Sequence, residues 1–226
     1  MIPPLIVDKA LECGIQIIAI TDHNACANVE AVIQAAQGTK LTVIPGIELQ
    51  TNEEVHSLCL FESLEQVERF QQTVDQALPT LPNNVEFLGE QFVVDKEGEF
   101  IRREDRLLLN STSLSIYDAC NLVTSLGGLF IPAHINREAF GLISHLGMIP
   151  QDLPINTLEI SRHITPEKAF LRFPDLAKYH LIQSGDVHYL DDFLGSNEFF
   201  LASPDFSEIK LALAGVGGRS HRILSL

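Results

Sequence analysis

Six residues able to bind a metal ion or transfer a proton occur where predicted strands of this sequence begin or end. Four are histidines and two are acids: His23, Glu48, His56, His134, Asp186 and His188. Neutral imidazole nitrogen and carboxylate oxygen form the mixed ligand set that suits Zn, Mn or Fe without any thiolate. One histidine after a strand is usually structural, but the same placement on successive strands favours a shared metal centre.

The local signal differs among the acidic residues near these strand ends. Asp186 and His188 are two positions apart, so on an extended backbone both side chains would point to one side. Glu159 also lies on a predicted strand, and it is expected either as a further acid of the site or as a buried acid paired with Arg162. The pair Asp186 and His188 is therefore the strongest local indication of a metal site.

Strand and helix patterns alternate along most of the chain and predict a parallel α/β fold, with the chemistry at the carboxyl ends of the strands. The apolar IIAI run reads as a strand, and a helix after Ser63 begins with a capping box to Gln66. The alternation breaks at about residues 79–110, which contain a predicted hairpin turning near Gly98. We predict one domain over residues 1–226 that carries this hairpin excursion, with a flexible GVGGR end.

Composition limits the classes of partner. Thirty acidic against fifteen basic residues give the 226-residue chain a formal net charge of −15, which disfavours nonspecific nucleic-acid binding. No apolar run approaches the roughly 18 residues of a membrane span, and the N-terminus lacks the basic segment of a signal peptide. These features predict a cytoplasmic protein with no membrane partner. The four widely spaced cysteines are expected to be reduced thiols.

Four motifs together resemble the PHP (polymerase and histidinol phosphatase) family of metal-dependent phosphoesterases. They are TDHN, PGIE, PAHINR and GDVHYLDD, and they follow the family's order along nearly the whole chain. The resemblance implies a distorted TIM-like (β/α)7 barrel with up to three divalent metal ions at the carboxyl ends of its strands. It also implies that a metal-activated water hydrolyses a small phosphorylated substrate.

The resemblance further implies roles for single residues at one end of the site. His23 and His188 would bind one metal ion, and Asp186 would bind another. These three residues would also be the catalytic ones. Histidines that are not fully committed to metal could protonate the leaving oxygen, since the ordinary pKa of imidazole suits that role.

At the other end of the site, Glu48 would bridge two ions, and His56 with His134 would complete the remaining shell. The family, however, opens with a strand bearing His-x-His before its first helix, whereas this chain begins at that helix and contains no HxH. Either an upstream segment carries that strand, which we favour, or the short chain has given up full catalysis. Without the strand the barrel would expose unpaired edges, which is a reason to expect homo-oligomers.

Two other functions fit the same residues. One is a catalytically impaired PHP-like domain that acts as a binding or structural module. The other is a different TIM-barrel metallohydrolase, such as an amidohydrolase, which uses similar ligands to hydrolyse C–N bonds. A metal-dependent phosphoric ester hydrolase remains the first prediction.

Overall fold

The computed structural model describes residues 1–224 and shows a mixed α/β fold. The last two residues of the predicted domain 1–226 lie outside the described range. The strands are β1 (Ile17–Ile20), β2 (Thr42–Gln50), β3 (His56–Leu60), β4 (Phe92–Val94), β5 (Phe100–Arg103), β6 (Leu129–Pro132), β7 (Thr157–Glu159), β8 (His180–Ile182), β9 (Asn197–Phe200) and β10 (Ser220–Ile223). The helices are α1 (Pro3–Glu12), α2 (Val29–Ala35), α3 (Leu64–Ala77), α4 (Val85–Leu88), α5 (Ile116–Ser125), α6 (Leu142–Leu146), α7 (Pro166–Arg172) and α8 (Phe206–Leu213).

Six strands form an arc that carries the candidate site. β1, β2, β3 and β6 are hydrogen bonded in that order, and β7 pairs in parallel with β8. The two groups meet where the Ile135 N–H donates to the Glu159 carbonyl oxygen at 2.9 Å. Within residues 1–224 no ladder joins β8 to β1, so the strand pairing forms an open arc.

The orientation of β3 differs from the predicted parallel arrangement. β1 and β2 are parallel, but β3 is antiparallel to both β2 and β6. The reason is the short connection between β2 and β3, in which the Thr51 N–H donates to the Val55 carbonyl oxygen at 3.0 Å. A parallel pair needs a crossover of about a dozen residues or more, which this turn cannot supply. The first residue of β3, His56, therefore lies opposite Gln50 at the end of β2.

A cavity of about 1030 Å³ opens between β1 and the segments around β8 and β9. Thr42 N–H donates to the Gln16 carbonyl, and Glu48 N–H donates to the Asp22 carbonyl. The even-numbered residues of β1 and its flanks therefore form the hydrogen bonds to β2. The backbone groups of Ile17 and Ala19 consequently face the other edge of β1. The polar residues that line the cavity include His23, Glu48, Glu159, Asp186 and His188, and the apolar ones include Ile44, Ile131, Ile182 and Leu213. The candidate site thus opens onto a space large enough for a small molecule.

The main core holds β2 against helix α3. Val67, Phe70 and Val74 of α3 are fully buried at helical spacing and form one apolar stripe. On β2, Ile47 and Leu49 are fully buried in the same core cluster. Because side chains alternate along a strand, the residue between them, Glu48, points to the opposite face. The core therefore fixes the strand from which the central carboxylate of the site extends.

The four cysteines are free thiols, as predicted. Cys59 and Cys120 are buried, and burial raises the pKa of both thiols, so they are poor nucleophiles at neutral pH. Among the described residues, no helix combines the length and the apolar character needed to cross a membrane.

The predicted hairpin is present as β4 and β5, which pair antiparallel, with Gly98 at φ +89° in the turn between them. Asn28 ties β4 to the segment that follows β1. Its Nδ2 donates to the Phe92 carbonyl oxygen at 3.1 Å, and its Oδ1 accepts from the Val94 N–H at 3.1 Å. The hairpin is thereby attached beside the segment that carries the first histidine of the candidate site, His23.

The flexible end predicted for GVGGR is wrong. Residues 215–219 turn the chain from α8 into β10, which pairs antiparallel with β9. Gly217 and Gly218 have φ of +65° and +75°, a conformation that favours glycine. Arg219 Nε and Nη2 each donate to a carboxylate oxygen of Glu208 at 2.9 Å. This ion pair and the β10 ladder hold a glycine-rich segment whose composition alone suggested a loose end.

The capping box of α3 gives the first testable prediction. Gln66 N–H donates to Ser63 Oγ at 3.3 Å, and Ser63 N–H donates to Gln66 Oε1 at 3.0 Å, as the sequence indicated. We expect Ser63→Ala to lower the free energy of unfolding by about 1 kcal/mol, because the replacement leaves one helix N–H group without its acceptor. Denaturant-induced unfolding followed by circular dichroism measures this change. An unaltered midpoint would contradict a stabilising role for the cap.

Candidate metal centre

Glu48 occupies the middle of the candidate site. Its Oε1 lies 3.3 Å from Nδ1 of His56 and 3.3 Å from Nε2 of His134. Its Oε2 lies 3.1 Å from Nδ1 of His23. The two oxygens of one carboxylate therefore face different imidazoles, a geometry in which the carboxylate can bridge two cations.

The backbone brings these residues together from four neighbouring strands, β1, β2, β3 and β6. An isolated parallel bridge joins His23, just after β1, to Glu48 within β2. His56 is at this mouth because β3 runs antiparallel, so the strand begins rather than ends there. His134 follows β6 and has φ +29°, a sparsely populated conformation for a residue with a side chain. The strand order of the arc thus makes neighbours of residues that are far apart in the sequence.

Four imidazole rings form a continuous row. Ring centroids are separated by 5.8 Å from His188 to His23, by 5.1 Å from His23 to His56, and by 5.3 Å from His56 to His134. His134 and His56 are buried, His23 is partly buried, and the side chain of His188 is 54% exposed. The row therefore has a closed end at His134 and an open, solvent-accessible end at His188.

The placement of Asp186 differs from the one expected on an extended backbone. β8 ends at Ile182, and Asp186 has φ +49°, so residues 186–188 are not extended. The Asp186 carboxylate binds Arg137, with Nη1 to Oδ2 at 2.5 Å, and lies 3.6 Å from Nδ1 of His188. His188 also lies beside His23. All six predicted residues thus lie in one region, five of them in the row of imidazoles around Glu48 and the sixth, Asp186, at its rim in an ion pair with Arg137.

The chemistry of the cluster fits a divalent cation. Ligand atoms of His23, Glu48 and His56 all lie within 4.8 Å of one another. Two ligands bound to one ion at metal–ligand distances near 2.1 Å are separated by roughly 3.0 to 3.4 Å, which matches the nitrogen-to-oxygen distances around Glu48. Nε2 of His56 and Nδ1 of His134 are buried and have no hydrogen-bond partner in the part of the chain that the structure describes. Buried polar atoms normally have a hydrogen-bond partner, so these two nitrogens are available to bind an ion.

The charges of the cluster favour cation binding. Burial would raise the pKa of Glu48, but hydrogen bonds from His134 and His56, together with the charge of His23, hold it well below its ordinary value. Burial lowers the pKa of His23, in opposition to the charge of Glu48. Glu48 is consequently an anion and His23 a neutral imidazole near neutral pH, and these are the protonation states that metal ligands require.

We expect His134 to make metal affinity depend on pH. Burial would lower the pKa of this imidazole, but its hydrogen bond to Glu48 and the charge of that carboxylate raise it above the ordinary value. A cation must displace this proton, so we expect affinity for Mn²⁺ to rise with pH through the imidazole range, by up to about tenfold per pH unit for one proton. Titration against a chromophoric chelator between about pH 6 and about pH 8 measures the slope. A pH-independent affinity would show that no imidazole proton is released.

Asn24 supports the site in a way the sequence did not reveal. It is fully buried with φ +50°, and its backbone N–H donates to the Glu48 carbonyl oxygen at 2.9 Å. Its side chain donates to the carbonyl oxygens of Leu108 and Asn110, both at 2.8 Å, and accepts from the Gln50 N–H at 3.0 Å. In the sequence, the only indication of this supporting role was the position of Asn24 directly after His23.

Glu159 and Phe140 contact the histidines from outside the cluster. Glu159 Oε2 accepts the His134 backbone N–H at 2.9 Å, whereas Arg162, its predicted partner, pairs with Asp192. Burial raises the pKa of Glu159. The Phe140 ring stacks on His56 with a centroid separation of 4.4 Å, and its carbonyl accepts the His56 N–H at 3.0 Å. No periodicity or motif in the sequence indicated that aromatic contact.

Comparison with solved structures shows similar folds. The lesion-specific endonuclease PfuEndoQ from Pyrococcus furiosus matches with a TM-score of 0.71 and 20% identity over 98% of this chain and 53% of that one. A complex of Endonuclease Q with a 27-mer duplex substrate carrying an abasic lesion matches with a TM-score of 0.72 and 20% identity, over 97% and 53% of the two chains. The chain thus spans about half the length of these endonucleases.

A third similar structure is a candidate metal-dependent phosphoesterase from Bifidobacterium adolescentis. It matches with a TM-score of 0.52 and 16% identity, over 91% of this chain and 85% of that one. At such identities these likenesses establish the fold alone. A search of curated proteins finds no match.

Family membership follows from the sequence itself. The family model described as PHP domain matches residues 3–136, which is more than half of the chain. The matched range contains Glu48 and the three histidines that surround its carboxylate, His23, His56 and His134. The chain belongs to the PHP domain family.

Proposed function

We propose that this protein is a metal-dependent phosphoric ester hydrolase that acts on a small phosphate ester. The observation that carries the proposal is the contact of one carboxylate, Glu48, with His56 and His134 through Oε1 and with His23 through Oε2. Hydrolysis of a phosphate ester needs positive charge at the attacking and the leaving oxygen, and cations held by these four residues would supply it. The adjoining cavity of about 1030 Å³ has room for a small substrate.

Each residue of the site has a proposed role. The ions would be held by His23, Glu48, His56 and His134, with His188 and Asp186 at the open end of the row of imidazoles. A bound divalent cation supplies a water of lowered pKa and a Lewis acid for phosphoryl oxygens. His188 is the most exposed ring of the row, so it is the one best placed to donate a proton to the leaving oxygen. The buried rings fix the positions of the ligands.

We propose that the open arc of six strands belongs to a distorted TIM-like barrel of the PHP type and that residues 1–226 form one domain. The uncovered edge of β1 supports self-association, because unpaired strand edges favour pairing with another chain. Light scattering of the purified protein would give the mass of a dimer if two copies cover this edge, and the mass of a monomer would contradict it.

Cleavage of a DNA phosphodiester is the second candidate function. It is supported by the fold shared with Endonuclease Q over 97% of this chain, one structure of which holds an abasic duplex. It is opposed by the formal charge of −15, which repels a polyanion. The predicted absence of nonspecific nucleic-acid binding therefore stays a prediction, and the small ester remains the first candidate.

Activity assays with defined substrates test the proposal. The protein, loaded with Mn²⁺, Zn²⁺ or Fe²⁺, is offered a panel of small phosphate esters, a panel of amides and a duplex with an abasic lesion. We expect inorganic phosphate to be released from at least one ester, and chelator to abolish this release. Ammonia release alone would favour an amidohydrolase, and duplex cleavage alone would favour the endonuclease. Tight metal binding without turnover of any substrate would favour a binding or structural module.

A further inference from the structure

Phe140 lies in the loop before α6, and its ring covers the imidazole of His56. The two rings are parallel, with an interplanar angle of 1° and a centroid separation of 4.4 Å. The two imidazoles beside His56 are instead tilted against it, at 56° for His23 and 65° for His134. A backbone contact accompanies the ring contact, because the His56 N–H donates to the Phe140 carbonyl oxygen at 3.0 Å. Phe140 thus contacts His56 at both its ring and its backbone.

Hydrogen bonds from outside the cluster do not fix the ring of His56. A metal-binding histidine usually donates its second ring N–H to a carboxylate or a backbone carbonyl, and this bond sets the orientation of the ring. In His56, Nδ1 faces Glu48, and Nε2 has no hydrogen-bond partner within residues 1–224. Rotation about the bond between Cβ and the ring is soft, so packing must hold the imidazole. Phe140 supplies a flat surface parallel to it.

Phe140 is itself held in a strained conformation. Its φ is +59°, and it is the largest of the five non-glycine residues with positive φ within residues 1–224. Such a conformation costs free energy for a bulky residue and persists only where the surroundings enforce it, often at functional sites. The Phe140 N–H donates to Nε2 of His145 at 3.2 Å, and the two rings lie 6.4 Å apart at an angle of 6°. A side chain at position 141 would collide with the Arg137 carbonyl oxygen, so Gly141 permits the tight turn directly after Phe140.

We infer that Phe140 is a positioning residue of the metal centre, whose ring holds the plane of the His56 imidazole so that His56 and Glu48 present their ligand atoms to one cation. The inference rests on the metal dependence of the proposed function and not on the ester that is hydrolysed. Ligands are productive only when packing locks their rotamers within about 10–20° of the required geometry. The side chain of Phe140 offers no ligand atom, so it acts only through His56.

Calorimetric titration with Mn²⁺ tests the inference without any turnover. Phe140→Leu keeps an apolar side chain but removes the flat surface, and we expect Mn²⁺ affinity to fall roughly tenfold, as for other groups that support metal ligands. Phe140→Tyr keeps the ring, and its hydroxyl can reach water because Phe140 is 36% exposed, so its affinity should match that of the unaltered protein. Phe100→Leu is the matched control, because Phe100 also packs against one aromatic ring, Phe92 at 5.3 Å, but lies on the hairpin.

The visible absorption of the protein saturated with Co²⁺ separates a positioning role from a structural one. The absorption bands report the arrangement of ligands around the ion, and saturation removes the effect of affinity and of a small loss of stability. We expect Phe140→Leu to change these bands and Phe140→Tyr and Phe100→Leu to keep them. If the leucine variant folds poorly, Phe140→Met takes its place and should show the same losses, since its side chain is apolar and flexible without being flat.

Each result bears on the role of Phe140. Unchanged Mn²⁺ affinity in Phe140→Leu would overturn it, and so would an equal loss in Phe140→Tyr or Phe100→Leu, because the stacked ring would then not be the cause. Weaker Mn²⁺ binding with unaltered Co²⁺ bands would place the effect in the fold and would also overturn it. If the unaltered protein binds neither ion, the metal centre fails and the inference fails with it. If both changes appear but no ester is hydrolysed, the positioning role stands and the proposed hydrolysis alone fails.

Discussion

Replacing Glu48 by glutamine is expected to abolish tight metal binding and to lower ester hydrolysis on the order of 100-fold or more. Removing groups that only support metal ligands already costs 10- to 100-fold, and Glu48 contacts all three buried or partly buried imidazoles of the cluster. The amide keeps the size of the side chain but loses the negative charge, and only one of its two terminal atoms can bind a cation. Metal content by mass spectrometry and phosphate release measure the two effects.

Glu68→Gln provides the control for this replacement. Glu68 is exposed on α3, so its substitution makes the same chemical change outside the site. It should alter neither metal content nor activity. Circular dichroism must show that both variants keep their helices and strands. If Glu48→Gln retains its metal at the level of the unaltered protein, the bridging role of the carboxylate is wrong.

Asn24→Ala is expected to produce the largest loss of stability among the polar residues of the site, about 3 kcal/mol or more. Each buried hydrogen-bonding group that loses its partner costs about 1 to 3 kcal/mol, and Asn24 serves two carbonyls and one N–H. Alanine at φ +50° adds backbone strain of about 1 kcal/mol. Denaturant unfolding measures the total. Comparison with Asn24→Gly, which tolerates positive φ, separates the strain from the lost hydrogen bonds.

Asn28→Ala is the matched control for Asn24. Asn28 also joins the segment after β1 to the hairpin excursion, but its hydrogen bonds are made in part by exposed groups. Water can replace such bonds, so we expect a cost of about 1 kcal/mol or less. Equal losses in the two variants would show that burial of Asn24 does not decide its contribution. We also expect weaker Mn²⁺ binding in Asn24→Ala alone, because the lost side-chain bond to the Gln50 N–H holds the segment that carries His23 against β2 beside Glu48.

Much of the cluster was predictable because strand ends can be read from sequence. His23, Glu48 and His134 each follow an apolar run, and strands that pair side by side bring such positions together. His56 was assigned to the cluster although the direction of its strand was wrong. An antiparallel β3 places its first residue where a parallel strand would place its last, so His56 lies at the predicted mouth although the strand direction differs.

The contacts that sequence reasoning missed depend on irregular backbone. Asp186 lies beside His188 as expected, but its φ of +49° replaces the extended backbone that was predicted, and no periodic pattern predicts a left-handed residue that is not glycine. Phe140 has φ +59° and stacks on His56 from a loop. Arg137 stood within the PAHINR motif, yet only the fold shows that it meets Asp186. Long-range contacts between loops are fixed by packing, which local sequence does not encode.

Anomalous X-ray diffraction from crystals grown with Mn²⁺ tests the central claim most directly. We expect at least one anomalous peak roughly 2.0 to 2.3 Å from a Glu48 carboxylate oxygen and from an imidazole nitrogen of His23 or His56. A second peak on the His134 side of the carboxylate would show that Glu48 bridges two ions. The absence of any peak within the histidine row, or a Mn²⁺ ion bound elsewhere while the row stays empty, would contradict the assignment of this cluster as a metal centre.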